Sequence, residues 1–160
     1  MIKIYTDGSC ITSNKKNLTG SGGWCNYIIF STVMNTHNII SYGAEKNTTN
    51  NRMELIAVLE SIDWIKKDLL NGIKITIYSD SKYVVNGANE WMYKWYKDNF
   101  YISNNKKRIN YDLWEKLYTL IHNFKEYITF QWVKAHSTCE YNNLVDNIAR
   151  NQAENINHTT

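Results

Sequence analysis

The sequence predicts a mixed α/β domain in which an antiparallel β-meander is joined to strands reached through helical crossovers. Three observations carry that expectation. An alternating run at the start is followed by two β-rich runs close enough to pair. At Asn50 the apolar period lengthens to that of a helix. Short apolar runs then alternate with helical stretches to the end of the chain, the pattern of crossover connections. The 160 residues suit one domain with a core of its own.

Taken in order, Ile2 to Thr6 alternates as a strand. Gly20 to Gly23 reads as a flexible turn, and Trp24–Ser31 and Val33–Gly43 read as the second and third strands of the meander. From Asn50, the residues Leu55, Val58, Leu59, Ile62, Ile65 and Leu69 recur at helical spacing, and Asn51 with Glu54 resembles a capping pair. Gly72 ends that helix, and Ile73–Tyr78 is β-branched enough for a buried central strand. Tyr83–Tyr96 reads as a helix bent near Gly87, Phe100–Ile109 as a basic, Asn-rich loop, and Asp112–Phe124 as a helix. Tyr127–Val133 is a strand and Asn142–Asn155 a closing helix. The order β-β-β-α-β-α-α-β-α implies one mixed sheet flanked by helices.

Composition excludes several classes. The hydrophobic share of 43% and charged share of 21% are those of a globule rather than of a disordered chain or coiled coil. The longest apolar stretches, such as Tyr27–Phe30, fall far short of the ~20 residues of a membrane span, so no membrane association is expected. The N-terminal residues reach Asp7 before any signal-peptide core could form. Cys10, Cys25 and Cys139 are odd in number and widely spaced, which disfavours a disulfide framework or a zinc site. A cytoplasmic protein is expected.

The net charge of +3 is unevenly distributed. Between Met92 and Asn110, Lys94, Lys97, Lys106, Lys107 and Arg108 face Asp98 alone, the electrostatic footprint of phosphate-backbone binding. Trp91, Tyr93, Trp95, Tyr96, Phe100 and Tyr101 interleave with these cations, as on many nucleic-acid surfaces, although Trp91 and Trp95, four apart on a helix, also suit an inward-facing pair. A solvated lysine-rich loop is the alternative for the whole window.

Carboxylates stand at element ends: Asp7 after the first strand, Glu54 in the first turn of the first helix, Asp80 after the fourth strand, and Asp146 on the last helix. Singly, each suits a turn, a cap or a solvated helix face. Jointly they point elsewhere, because the first and fourth strands of a mixed sheet can lie side by side and open into one crevice. Four carboxylates crowded there need hard divalent cations to neutralise them. Paired cations of that kind activate water and stabilise the leaving oxygen in phosphodiester cleavage.

The segments Thr6-Asp7-Gly8-Ser9-Cys10, Thr48-Thr49-Asn50-Asn51-Arg52-Met53-Glu54-Leu55, Ser79-Asp80-Ser81, Trp132-Val133-Lys134-Ala135-His136 and Asp146-Asn147-Ile148-Ala149-Arg150 closely resemble, in the same order, the signatures of type 1 ribonuclease H. The resemblance spans nearly the whole chain. It implies a ribonuclease H-like fold, with three antiparallel and two parallel strands in a five-stranded sheet flanked by helices. It implies one catalytic domain over 1–156, with a basic protrusion, or handle, at about 89–110 and a short tail at 157–160. The activity it implies is endonucleolytic cleavage of the RNA strand of RNA/DNA hybrids with two Mg²⁺ ions, Mn²⁺ substituting. The metal-binding and catalytic carboxylates would be Asp7, Glu54, Asp80 and Asp146, and His136 would match the family's auxiliary histidine, which helps proton transfer or product departure. Thr49 would help hold a DNA-strand phosphate, Asn50 and Asn51 would contact the backbone near the minor groove, and Trp91, Trp95, Lys97, Lys106, Lys107 and Arg108 would grip the hybrid. Such contacts read shape and the 2′-hydroxyl, so cleavage should be largely independent of sequence. A monomer with no obligate protein partner is expected, removing RNA from primers and R-loops.

The chain departs from the family pattern in places. The loop Ile11–Gly23 is long, proline-free and carries Lys15 and Lys16; Ala135 replaces a glycine; Asn143 stands in an acidic position; Lys82 replaces a glutamine. With few cations in the handle, binding should be weak and salt-sensitive. Two alternatives stand beside the nuclease: a non-catalytic binder of hybrids or double-stranded RNA, and a nuclease of the same fold with another substrate.

Overall fold

β1 (Ile2–Ile11) runs through the middle of a five-stranded sheet in a computed structural model that describes residues 1–12 and 19–158, apart from the side chain of Asn157. Lys15 and Lys16 and the last two residues lie outside the described ones. β2 (Gly20–Ser31) and β3 (Thr36–Thr48) extend the sheet antiparallel on one side. β4 (Ile75–Ser79) and β7 (Ile128–Trp132) extend it in parallel on the other, giving the order β3-β2-β1-β4-β7. The meander and the two parallel additions are those expected from the sequence.

Between β3 and β4 lies α1 (Asn50–Leu70). After β4 come α2 (Lys82–Asn86), a π-helical segment Gly87–Trp91 and α3 (Met92–Lys97), so the bend expected near Gly87 is a local widening of the helix. The loop expected at Phe100–Ile109 is instead a small antiparallel hairpin, β5 (Tyr101–Ser103) and β6 (Lys106–Lys107). α4 (Tyr111–Ile121) leads through a 3₁₀ turn to β7, and α5 (Glu140–His158) closes the described chain, taking in the first two residues of the stretch anticipated as a tail.

The two faces of the sheet are covered differently. Ile4, Ile28 and Ile77, fully buried, join Leu55, Val58, Ile62 and Ile65 of α1 and Trp114 and Leu117 of α4 in the main core. Burying each such aliphatic side chain stabilises the fold by about 1.5–3 kcal/mol. On the opposite face, Tyr5 and Cys25 meet Val145 and Ala149 of α5 in a smaller core. Period two along β1 thus sends Ile4 to α1 and Tyr5 to α5.

Two further local expectations are overturned. Gly20–Gly23 is not a turn but the first part of β2. A Cβ on Gly23 would come within 2.1 Å of the Ala149 carbonyl oxygen, so that glycine serves the close approach of α5 rather than chain reversal. The cap of α1 is also not Asn51 with Glu54. Thr49 holds the cap position, its hydroxyl accepting from the Arg52 amide at 3.3 Å, which leaves Glu54 free of any capping duty.

Candidate active site

Parallel pairing of β1 with β4 puts Thr6 opposite Ser79. Asp7, the next residue of β1, and Asp80, the first residue after β4, therefore lie side by side at the same end of the sheet. Glu54 arrives from α1 by close packing. A Cβ on Gly8 would lie 2.3 Å from the Glu54 backbone nitrogen, so only glycine there lets the first turns of α1 touch β1. Asp7, Glu54 and Asp80 each offer a carboxylate oxygen within 4.8 Å of the others.

The turn after β4 is fixed without using the Asp80 carboxylate. Ser81, not Asp80, caps α2, accepting from the Val84 amide at 3.2 Å, and the Trp132 indole donates to the Asp80 backbone carbonyl at 3.0 Å. Lys82 lies over the Trp132 ring, its ammonium 4.9 Å from the centroid. Sequence reasoning did not single out Trp132 for this, because nothing in its spacing announces a strand-end indole that pins a neighbouring turn.

Electrostatically the cluster is under strain. Burial pushes the Asp7 carboxyl up to about 8, against a favourable hydrogen bond with Glu54, and the charges of Asp80 and Asp146 push the same way as burial. Burial and then Asp7 raise Glu54 well above the usual carboxylate range, and burial followed by Asp146 raises Asp80. Glu54 is 4% exposed, and its Oε2 is buried without a hydrogen-bond partner. A buried carboxylate oxygen with no donor, facing two further carboxylates, is an all-oxygen donor set suited to a hard divalent cation.

Asp146, from α5, stands at the margin. Its proximity raises the Asp7 carboxyl, yet it contributes no oxygen to the group of three. Its Oδ2 accepts from Arg150 one turn later and lies 3.9 Å from His136 Nδ1. His136 is 73% exposed at its side chain and sits at φ 52°, a left-handed conformation that disfavours a side chain, in the loop between β7 and α5. The structure thus brings His136 to the fourth carboxylate.

The remaining predicted contacts fall in two places. Thr49, as the cap, and Asn50 and Asn51, exposed in the first turn of α1, lie within about a turn and a half of Glu54. The basic window forms the protrusion of α3, β5 and β6, and its cations are largely engaged within it. Lys94 pairs with Glu90 at 2.7 Å, Lys107 lies over the rings of Tyr101 and Tyr111, and Arg108 lies over Trp95. Lys97 and Lys106 are exposed. Trp91 and Trp95 do pair, at 5.8 Å between centroids, and Trp95 meets buried Trp114 edge-on, so this pair forms a stalk as much as a binding face.

A residue given no role from sequence ties the two places together. Arg52 makes a bidentate pair with Asp112 at 2.8 and 3.0 Å and donates to Asn110 at 3.3 Å. Asn110 and the Trp114 indole both donate to the Tyr83 hydroxyl, at 3.2 and 2.9 Å. The helix carrying Glu54 is thereby strapped to the root of the protrusion. The partners lie 60 residues apart, beyond any local pattern.

This sheet order, with an acidic centre at the ends of adjacent parallel strands, is that of the ribonuclease H-like fold. A family model, RNase H, matches residues 1–154, and the chain belongs to the ribonuclease H family; it is a ribonuclease, a hydrolase. It is 40% identical over 158 residues to Ribonuclease H of Caldicellulosiruptor saccharolyticus, covering 97% of each, and 39% identical to Ribonuclease H of Orientia tsutsugamushi, covering 94% of this chain and 80% of that one. Among solved structures, LC9-RNase H1, described as a type 1 RNase H with the type 2 active-site motif, matches with TM-score 0.80 at 21% identity over 96% of this chain and 72% of that one. LC11-RNase H1, solved in complex with RNA/DNA hybrid, matches with TM-score 0.66 at 17% identity over 98% and 99%. Both likenesses concern the fold.

Proposed function

We propose that this chain hydrolyses the RNA strand of RNA/DNA hybrids endonucleolytically, at a centre where Asp7, Glu54, Asp80 and Asp146 hold two Mg²⁺ ions, Mn²⁺ substituting. The observation that carries the reading is the convergence of three carboxylates within 4.8 Å around a buried Glu54 oxygen that has no donor. When bound, the cations supply Lewis-acid activation of water and of the scissile phosphate and charge stabilisation at the departing oxygen.

The chain's own residues do the rest. The closely packed Asp7 and Glu54 fix where the phosphate meets the attacking water, so positioning is built in before substrate arrives. Glu54 orients that water and a ribose 2′-hydroxyl. His136, exposed beside Asp146, moves a proton to or from the leaving side. Water adds at phosphorus and the 3′-oxygen leaves, giving 5′-phosphate and 3′-hydroxyl ends. Asn50 and Asn51 meet the minor groove, Thr49 a DNA-strand phosphate, and the protrusion with Trp91, Trp95, Lys97, Lys106, Lys107 and Arg108 the backbone. These contacts read shape and the 2′-hydroxyl rather than base edges. We place the protein in the cytoplasm as a monomer acting on RNA primers and R-loops.

The test is a labelled RNA/DNA hybrid beside RNA duplex, DNA duplex and single strands, each in Mg²⁺, Mn²⁺ and EDTA, with Asp7→Asn as control. Metal-dependent internal cuts in the RNA of the hybrid alone are expected. Hybrid binding in EDTA with no cleavage in either metal would make the protein a binding module, and cuts confined to another duplex would reassign the substrate.

A further inference from the structure

Arg150 is the one cation in contact with the carboxylate cluster among the described residues for which the proposed reaction has no use. It lies one helical turn beyond Asp146 on α5; its Nη2 donates to Asp146 Oδ2 and, at 3.4 Å, to Asn147 Oδ1. An Asp–Arg pair at this spacing is ordinary on an exposed helix. Here, however, one partner is the carboxylate that adjoins Asp7 and whose charge raises Asp80, while its side chain is only 19% exposed. The guanidinium is half-exposed, reaching in from solvent to a carboxylate at the edge of the crevice.

The other cations near the centre are held elsewhere or stand farther off. Lys82 is drawn over the Trp132 ring, and Arg52 is committed to Asp112 and Asn110. His136 is 3.9 Å from the same Oδ2 that Arg150 takes, beyond hydrogen-bonding distance. Arg150 therefore supplies the neutralising charge at Asp146. The three carboxylates it does not touch are the ones that converge within 4.8 Å.

We propose that Arg150 is a resident counter-ion that competes with divalent cations for Asp146. The inference rests on the reading of Asp146 as a cation ligand. It has a definite sign: a guanidinium repels an incoming dication and occupies a ligand oxygen, so removing it tightens cation uptake. Half-exposure screens that repulsion, which sets the expected gain at about three- to tenfold in affinity rather than the much larger factor of a buried pair. The pair also keeps the fourth carboxylate neutralised when no cation is bound.

The experiment is calorimetric titration of Mn²⁺ into chelator-stripped protein for the wild type, Arg150→Gln, Arg150→Lys and Asp146→Asn, with circular dichroism to confirm that each is folded. Arg150→Gln should bind Mn²⁺ about three- to tenfold more tightly and show a larger Mn²⁺-induced rise in Tm. Arg150→Lys, which keeps the charge, should stay near the wild type, and Asp146→Asn should bind more weakly. If Asp146→Asn weakens binding but Arg150→Gln leaves it unchanged or weaker, competition is overturned while Asp146 stands as a ligand. If Asp146→Asn leaves affinity unaltered, the ligand assignment itself fails and the inference fails with it.

Discussion

The carboxylate end of the sheet and the basic protrusion place their charges in opposite ways. At the sheet end, like charges are forced together on rigid elements, and burial adds to their repulsion. In the protrusion, exposed like charges are spread out and laid against rings or a neighbouring glutamate. Stored repulsion marks a place built to receive a cation. Satisfied charge marks a surface whose stability does not depend on substrate. A count of lysines and arginines therefore overstates the cations that the protrusion can offer to phosphates.

Replacing Asp7 breaks the contrast most completely. Asp7→Asn should reduce cleavage by about a thousandfold or more, because the amide removes a cation ligand while matching the carboxylate in size. In chelator the same variant should be more heat-stable than the wild type, and the gap should widen as pH rises. The Asp7 carboxyl in the folded protein is raised to about 8, whereas in the unfolded chain it lies near the ordinary aspartate value of 3.8. Between those values the folded state retains a proton that the unfolded state has lost, so stability falls as pH rises through that window. Melting curves of both proteins across it would show the divergence; parallel curves would contradict the stored repulsion.

His136→Ala comes next, with turnover expected to fall about 10- to 100-fold and hybrid affinity unchanged, read by single-turnover cleavage beside equilibrium binding. An unchanged rate would leave the histidine an exposed loop residue. Replacing Lys106, Lys107 and Arg108 together by alanine should raise KM and flatten the dependence of binding on salt. Arg108→Ala alone should lower Tm more than Lys106→Ala, since Arg108 rests on Trp95 and its Nε is buried whereas Lys106 is exposed. Smallest of all, Arg52→Gln should cost about 1 kcal/mol of stability, the modest value of a partly exposed bidentate pair, and raise KM more than it lowers kcat. A kcat loss without a KM change would show that the strap acts on the catalytic end rather than on the protrusion.

The same contrast explains what was legible in the sequence. Apolar periods located every principal strand and helix, because period two and period 3.6 are direct records of which face is buried. The parallel neighbours β1 and β4 followed from crossover logic, and with them the pairing of Asp7 and Asp80. What escaped detection depended on contacts between distant backbones and side chains. Gly23 looked like a turn because a glycine gives no sign of whether it serves chain reversal or the approach of another element. Glu54 looked like a cap because capping and catalysis both place an acid in a first turn. The hairpin at 101–107 was hidden by its brevity. Arg150 was within reach, since a residue four after Asp146 on a helix must lie beside it.

One contact near the centre extends to the protein's dynamics. Gly8 lets the backbone of α1 touch β1, and those two segments belong to the main fabric of the sheet and its largest helix. The spacing between Asp7 and Glu54 is therefore set by main chain against main chain and not by rotamers that could relax independently. Such a junction cannot open while its surroundings stay closed. The amides along it should exchange with solvent deuterium at the rate of whole-molecule opening. On warming, the catalytic end should then stay intact until the molecule as a whole melts.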